Sequence, residues 1–210
     1  MRTIFFLLSV AILTISCQES SEKLPYLGNK HIELNEETGK ADTIFHKIAD
    51  FQFVDQDSSI ITNTTFEEHI YVADFFFTSC PTICPIMKTQ MLRVYETIQD
   101  KSDVLILSHT IDPEYDTVAL LHDFAERLGV ESSKWHFVTG DKSDIYKIGQ
   151  KSYMVTTQES DFEPGGYIHS GAFILVDKER RVRGMYDGTK EEAVDKLIND
   201  IDILRAEYQN

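Results

Sequence analysis

Cysteine, proline and positive charge are all scarce in this chain. Its 210 residues include 3 Cys, 5 Pro and 20 Lys plus Arg against 35 Asp plus Glu, a formal net charge of −15. The shortage of cations removes the field that holds a phosphate backbone, which argues against nucleic acid as a partner. The surplus of acid serves solubility, or steers cationic partners and metal ions. Three cysteines are too few for a disulfide-stapled scaffold, and a chain of this length with 42% hydrophobic residues can bury a core of its own, so one α/β domain is expected. Long apolar runs are missing too. The longest, residues 4–15, falls short of the roughly 20 residues that cross the hydrocarbon of a bilayer.

That short run has a reading of its own. Arg2 followed by residues 4–15 fits the basic start and apolar stretch of a secretory signal. The run ends in Thr14-Ile15-Ser16-Cys17, which resembles a bacterial lipoprotein box with its leucine, Leu13, one position early. The resemblance implies that Cys17 carries lipid and that the protein is held outside the cytoplasmic membrane, facing the periplasm of a bacterial envelope. Residues 1–17 are then signal and box, residues 18–42 a polar tether, and residues 43–210 the domain. A lipidated Cys17 leaves Cys80 and Cys84 for chemistry. An even pair in an oxidising compartment can close a disulfide or bind metal, and the residues leave both open.

Along the domain, apolar positions at Ile44, Phe45, Ile48, Phe51, Phe53 and Val54, a polar turn over residues 55–59, then Ile60 and Ile61 predict an N-terminal hairpin. Residues 70–77 form a β-branched and aromatic run broken only by Asp74, the pattern of a strand buried on both faces. After the cysteine segment, Met87, Met91, Val94, Tyr95 and Ile98 recur at helical spacing. A second strand at 104–107, a turn at Asp112-Pro113, a cap at Asp116 or Thr117 and a helix ended by Gly129 repeat the unit. A strand at 135–138, a helix at 143–154, strands at 172–176 and 182–186, and a helix at 190–208 complete it. Such an alternation implies a mixed central sheet with helices on both faces.

Between the first strand and its helix stands Thr78-Ser79-Cys80-Pro81-Thr82-Ile83-Cys84-Pro85. Thiols at a helix start lie where unpaired N–H groups and the helix dipole favour thiolate, which is both the nucleophile of disulfide exchange and a ligand for soft metals. A four-residue spacing in a first helical turn would bring the two Cα atoms to about 6 Å, within disulfide range and close enough for two sulfurs to meet one ion.

Three segments in order, residues 77–85, Asp112-Pro113-Glu114-Tyr115-Asp116-Thr117, and His169-Ser170 before the strand at 172–176, resemble the Sco (SenC/PrrC) family over residues 45–208. The resemblance implies a thioredoxin-like fold and copper, as Cu(I) or Cu(II), held by Cys80, Cys84 and His169. It also implies a metallochaperone whose recipient is a copper-accepting membrane protein such as a cytochrome c oxidase subunit, with a thiol reductant as second partner. Asp112 is a candidate carboxylate behind the ligands or at a docking edge, and His109 stands at the end of a strand that could share that rim. Two positions depart from the family pattern: Ile168 replaces the Asp that often precedes the histidine, and Tyr115 replaces Arg. The competing reading makes Cys80 and Cys84 the redox-active pair of a thiol–disulfide oxidoreductase. Against it, thioredoxin-type enzymes have two residues between their cysteines and a cis-proline facing them, whereas here there are three, with no proline from 165 to 176.

Overall fold

Side chains along residues 70–76 alternate between two apolar layers, and that alternation sets the architecture. The computed structural model describes residues 23–35, 39–159 and 167–209, with the backbone alone for Glu159, Ile168 and His169; Cys17 lies outside the described residues. In chain order the strands are β1 (Lys30–Leu34), β2 (Ala41–Phe45), β3 (Gln52–Asp55), β4 (Ile60–Thr62), β5 (Ile70–Phe76), β6 (Val104–Thr110), β7 (Trp135–Thr139), β8 (Thr157–Glu159), β9 (Tyr167–His169), β10 (Ala172–Val176) and β11 (Val182–Asp187). The helices are α1 (Cys84–Thr97), α2 (Val118–Leu128), α3 (Lys142–Lys151) and α4 (Glu191–Glu207).

Every residue of β5 is buried. Ile70, Val72 and Phe76 enter a layer with Met87 and Met91 of α1, Leu121 of α2 and Leu197 and Ile201 of α4. Tyr71, Ala73 and Phe75 enter the opposite layer with Ile145 and Ile148 of α3 and with Phe53 and Ile61 from the β3–β4 hairpin. A strand covered twice has no polar face to expose, which is why its sequence reads as a continuous apolar run. The seven-stranded sheet runs β11-β10-β5-β6-β7-β3-β4, with β5, β6 and β7 parallel and the flanking pairs antiparallel. The mixed sheet, the helices on both faces and the N-terminal hairpin are therefore present as expected.

Local chemistry sets most of the boundaries. Thr117 caps α2 by accepting the Leu120 N–H, and Gly129 ends it at φ 69°, a left-handed turn that glycine adopts at no steric cost. Helix α3 stops at Lys151 rather than 154: the Ser152 N–H still reaches Ile148 O, but Met154 turns to φ 58° and leads the chain toward β8.

Two elements differ from the sequence reading. The segment read as a tether, residues 18–42, holds β1 and the start of β2, and from Leu24 onward it is fastened to the domain: Leu24 N–H donates to Glu207 Oε1, and Arg183 donates to the carbonyls of Leu24 and Pro25. Both hairpin strands are almost wholly exposed, so no burial pattern marks them. The second is the β8–β9 hairpin, whose three-residue strands are too short to show a period.

His109 is not at a rim. It is fully buried on β6, stacked on Phe75 at 4.7 Å between ring centroids and met edge-on by Phe53 and Tyr153 at 5.5 and 5.3 Å. Neither ring nitrogen has a hydrogen-bond partner among the described residues, and burial pushes the imidazole from its usual 6.5 down to about 3. The titratable side chain that meets it is Tyr153, whose own phenol burial pushes well above its ordinary range. The folded state holds the ring neutral while the unfolded chain takes a proton below about 6.5. This contribution to stability is complete above pH 6.5 and is lost, by about 1.4 kcal/mol per pH unit, as pH falls toward 3. His109→Phe should therefore gain stability over the parent as pH drops from 6.5, measured by urea unfolding at several pH values; a stability difference independent of pH would contradict it.

Candidate metal centre

The parallel strands β5 and β6 end side by side, with Phe76 opposite Thr110. A buried carboxylate joins the two ends. Asp116 accepts the Thr78 N–H at 3.1 Å and the hydroxyls of both Thr78 and Thr110. Burial raises its pKa, the three donors oppose that, and the charge on Asp112 adds to it. The sequence suggested Asp116 only as a cap; that role falls to Thr117, and Asp116 instead fixes the residue from which the cysteine loop departs.

From Thr78 the chain bends rather than coils. The Cys80 N–H donates to Phe77 O at 3.2 Å, Cys80 Sγ lies 3.6 Å from Thr82 Oγ1, and helix α1 begins only at Cys84, with Pro85 tolerated in its first turn. Cys80 therefore precedes the helix, and a shared helical face is not what brings the thiols together. They meet because the loop folds back: neither is in a disulfide, Cys80 is buried and Cys84 half-buried, and the two hydrogen-bond each other. That contact, followed by burial and by the negative charge of Asp74, pushes the Cys84 thiol well above its ordinary range, while the Phe77 backbone acts in the other direction. The expected stabilisation of thiolate at the helix start is outweighed here by proximity and burial.

Asp74, unremarked in the sequence except as a break in an apolar run, is the second buried acid of the site. It accepts from the Ser108 hydroxyl, whose oxygen accepts the Trp135 indole N–H at 2.8 Å, so its charge is held in place beneath Cys84.

His169 is the last residue of β9, opposite Thr157 of β8. Its side chain lies outside the described residues, but its neighbours on either side are placed. Tyr167 packs on Phe77 at 5.1 Å between ring centroids, and a Cβ on Gly171 would stand 3.7 Å from Ile83 Cδ1. Tyr167 thus rests on the start of the cysteine loop, and Gly171 lies opposite Ile83. A groove of about 500 Å³ opens between Ile83 and Gly171, with Met185, Asp187 and Thr189 also on its walls. Another cavity, of about 440 Å³ between β3 and α3, holds none of the predicted site residues.

Asp112 lies in the turn after β6, half-buried. Its N–H donates to Thr110 Oγ1 at 3.0 Å and its carbonyl accepts from Tyr115 and Asp116, so its backbone shapes the turn that presents Asp116. Tyr115 on the same turn is 57% exposed. Among the described residues no group of three His, Cys, Asp or Glu side chains is placed to hold a metal ion.

Asp116→Ala would leave three donors without their acceptor, the buried Thr110 hydroxyl and the half-buried N–H and hydroxyl of Thr78. It should cost about 3 kcal/mol of stability and, by loosening the loop start, make Cys80 and Cys84 react faster with a thiol reagent than in the parent under native conditions. Unchanged stability and unchanged thiol reactivity would show that the clamp does not hold the loop.

Comparison with known proteins agrees with this architecture. The SCO1/SenC family model matches residues 39–204. The SCO1 protein homolog of Bacillus subtilis is 30% identical over 162 residues, covering 76% of this chain and 83% of its own length. Among solved structures, a SCO1/SenC family lipoprotein from Bacillus anthracis superposes with a TM-score of 0.70 at 28% identity, covering 76% of this chain and 95% of that one. The structure of BsSco, described as a member of the Sco family of cytochrome c oxidase assembly proteins with a disulfide switch, gives 0.67 at 29%, with 76% and 93% covered. A thioredoxin-like domain with this strand order, matched to the family model over most of its length, belongs to the SCO1/SenC family.

Proposed function

We propose that this protein takes up copper through Cys80, Cys84 and His169 outside the cytoplasmic membrane and hands it to a copper-accepting protein during assembly of cytochrome c oxidase. The observation that carries the reading is the bracketing of the thiol pair: two mutually hydrogen-bonded thiols at a strand end, with Tyr167 of the His169 strand packed on Phe77 and Gly171 lying opposite Ile83. Positions 167 and 169 fall on the same face of β9 by the two-residue repeat of a strand. Two sulfurs and one imidazole form a soft set suited to Cu(I). Copper is cargo here and binds the deprotonated pair, so its uptake displaces the proton that the Cys80 contact and burial hold on Cys84. The half-buried position of Cys84 and the open groove beside Ile83 leave the ion within reach of a recipient's ligands, and Asp112 with exposed Tyr115 supplies a docking edge. Anchoring through a lipid on Cys17 fits the absence, among the described residues, of any helix long and apolar enough to cross a membrane.

A second reading has one observation behind it. Thiols near enough to hydrogen-bond are near enough to close a disulfide, and a Cys80–Cys84 dithiol that gives two electrons and two protons to an oxidised partner becomes that disulfide. The two readings are linked, since the disulfide cannot ligate copper and a partner dithiol must reduce it before loading.

Reduced protein should bind one copper per chain. Cys80→Ala, Cys84→Ala and His169→Ala should each abolish tight binding, and the oxidised parent should take up copper only after reductant is added, all measured by metal analysis after competition with a chelator. Full stoichiometry and affinity in His169→Ala, or equal uptake before and after reduction, would defeat the three-ligand reading. Loss of copper binding with rapid reduction of an oxidised copper protein would favour the oxidoreductase instead.

A further inference from the structure

The β1–β2 hairpin is amphipathic, and nothing among the described residues covers the outer part of its apolar face, Ile32 and Leu34. Its register pairs Lys30 with Phe45, Ile32 with Thr43 and Leu34 with Ala41 on one face, and His31 with Ile44 and Glu33 with Asp42 on the other. Ile32 and Leu34 are 72% and 73% exposed, whereas the opposite face carries the His31–Glu33 pair, 2.8 Å apart, and Asp42. A two-stranded ribbon is marginal in water unless one face packs against something.

The base of the hairpin is fixed. Phe45 packs on Tyr26 at 4.3 Å between ring centroids, the Arg181 and Arg183 guanidiniums lie 4.7 and 4.3 Å from the Tyr26 centroid, and His46 Nε2 hydrogen-bonds Ser152 O at 2.7 Å. Both guanidiniums are turned inward, Arg183 onto Asp177 and Glu207 and Arg181 onto Asp177 and Glu179, so the domain holds the base of the hairpin while the aliphatic face beyond it stays open.

Geometry identifies what could reach that face. This step rests on the proposal that Cys17 carries a lipid. The chain is fastened to the domain from Leu24, and seven residue steps from Cys17 span at most about 25 Å. A five-residue strand is about 17 Å long, so an anchored domain keeps its Leu24 fastening point within about one and a half strand lengths of the bilayer, a gap of the same order as the hairpin itself. With a net charge of −15, attraction to anionic headgroups is not the mechanism, and contact has to be apolar. We infer that the Ile32 and Leu34 face of the β1–β2 hairpin lies in the phospholipid interface and acts as a second contact that orients the lipid-anchored domain on the membrane.

The test uses the full, lipidated chain purified from bacterial membranes, in which the sole tryptophan, Trp135, is 2% exposed. Ile32→Trp and, on the opposite face, Glu33→Trp are each reconstituted in phosphatidylcholine vesicles with brominated acyl chains. The expected result is several-fold stronger quenching of the added fluorescence in Ile32→Trp than in Glu33→Trp. If both variants float with the vesicles and are quenched alike, the hairpin contact is wrong and the anchor stands. Failure of both to float overturns the anchor and this inference with it. A doubled mass by light scattering, with no quenching in Ile32→Trp, would assign the face to a second copy of the chain and also reject the lipid contact.

Discussion

The Asp116 carboxylate, buried between Thr78 and Thr110, fixes the point at which the central strand gives way to the cysteine loop. Upstream of it, β5 is held on both faces by apolar layers and on both edges by neighbouring strands, so it cannot slide without exposing a whole set of side chains. Downstream, the loop is short, bent and free of regular hydrogen bonding until Cys84 opens α1. A rigid strand meets the thiol pair there, and the three donors on Asp116 mark the junction. Tyr167 and Gly171 complete the arrangement from the other side, because Tyr167 packs on Phe77 at the loop's start and Gly171 lies opposite Ile83 beside Cys84.

The electrostatics of the pair follow from this placement. Cys84 meets Cys80 through a hydrogen bond, is itself half-buried and lies above Asp74, and each of these features opposes loss of its proton. Helix-start positions usually do the reverse, but only Cys84 occupies one, and its neighbours outweigh the dipole. Loss of the second proton, from Cys84, is therefore opposed until a cation takes its place.

Most of the fold was legible because its strands are buried on both faces and its helices on one. The apolar run at 70–77 and the helical stripe from Met87 to Ile98 became β5 and α1, with Thr117 and Gly129 bounding α2 as their residue types dictate. The two small hairpins were not legible: β1–β2 buries neither face, and β8–β9 has three-residue strands. At the site, the cysteines announced themselves, while His169 was reached only through a family resemblance. Asp116 could not be found from spacing, because its partner Thr78 lies 38 residues away and the two meet only when β5 and β6 pair. Asp74 did leave a signal, a lone acid within an apolar strand, and such a break is worth treating as a buried functional charge. His109 misled, since a strand-end histidine here turned inward to a box of Phe75, Phe53 and Tyr153.

The central claim is that two sulfurs and one imidazole meet on a single copper ion at the end of β5. X-ray absorption spectroscopy of the reduced, copper-loaded chain reads that ligand shell directly. The account predicts two sulfur scatterers and one imidazole nitrogen per copper, with the imidazole signal lost in His169→Ala. A shell of sulfur alone in the parent protein, or an imidazole signal that survives in His169→Ala, would contradict it.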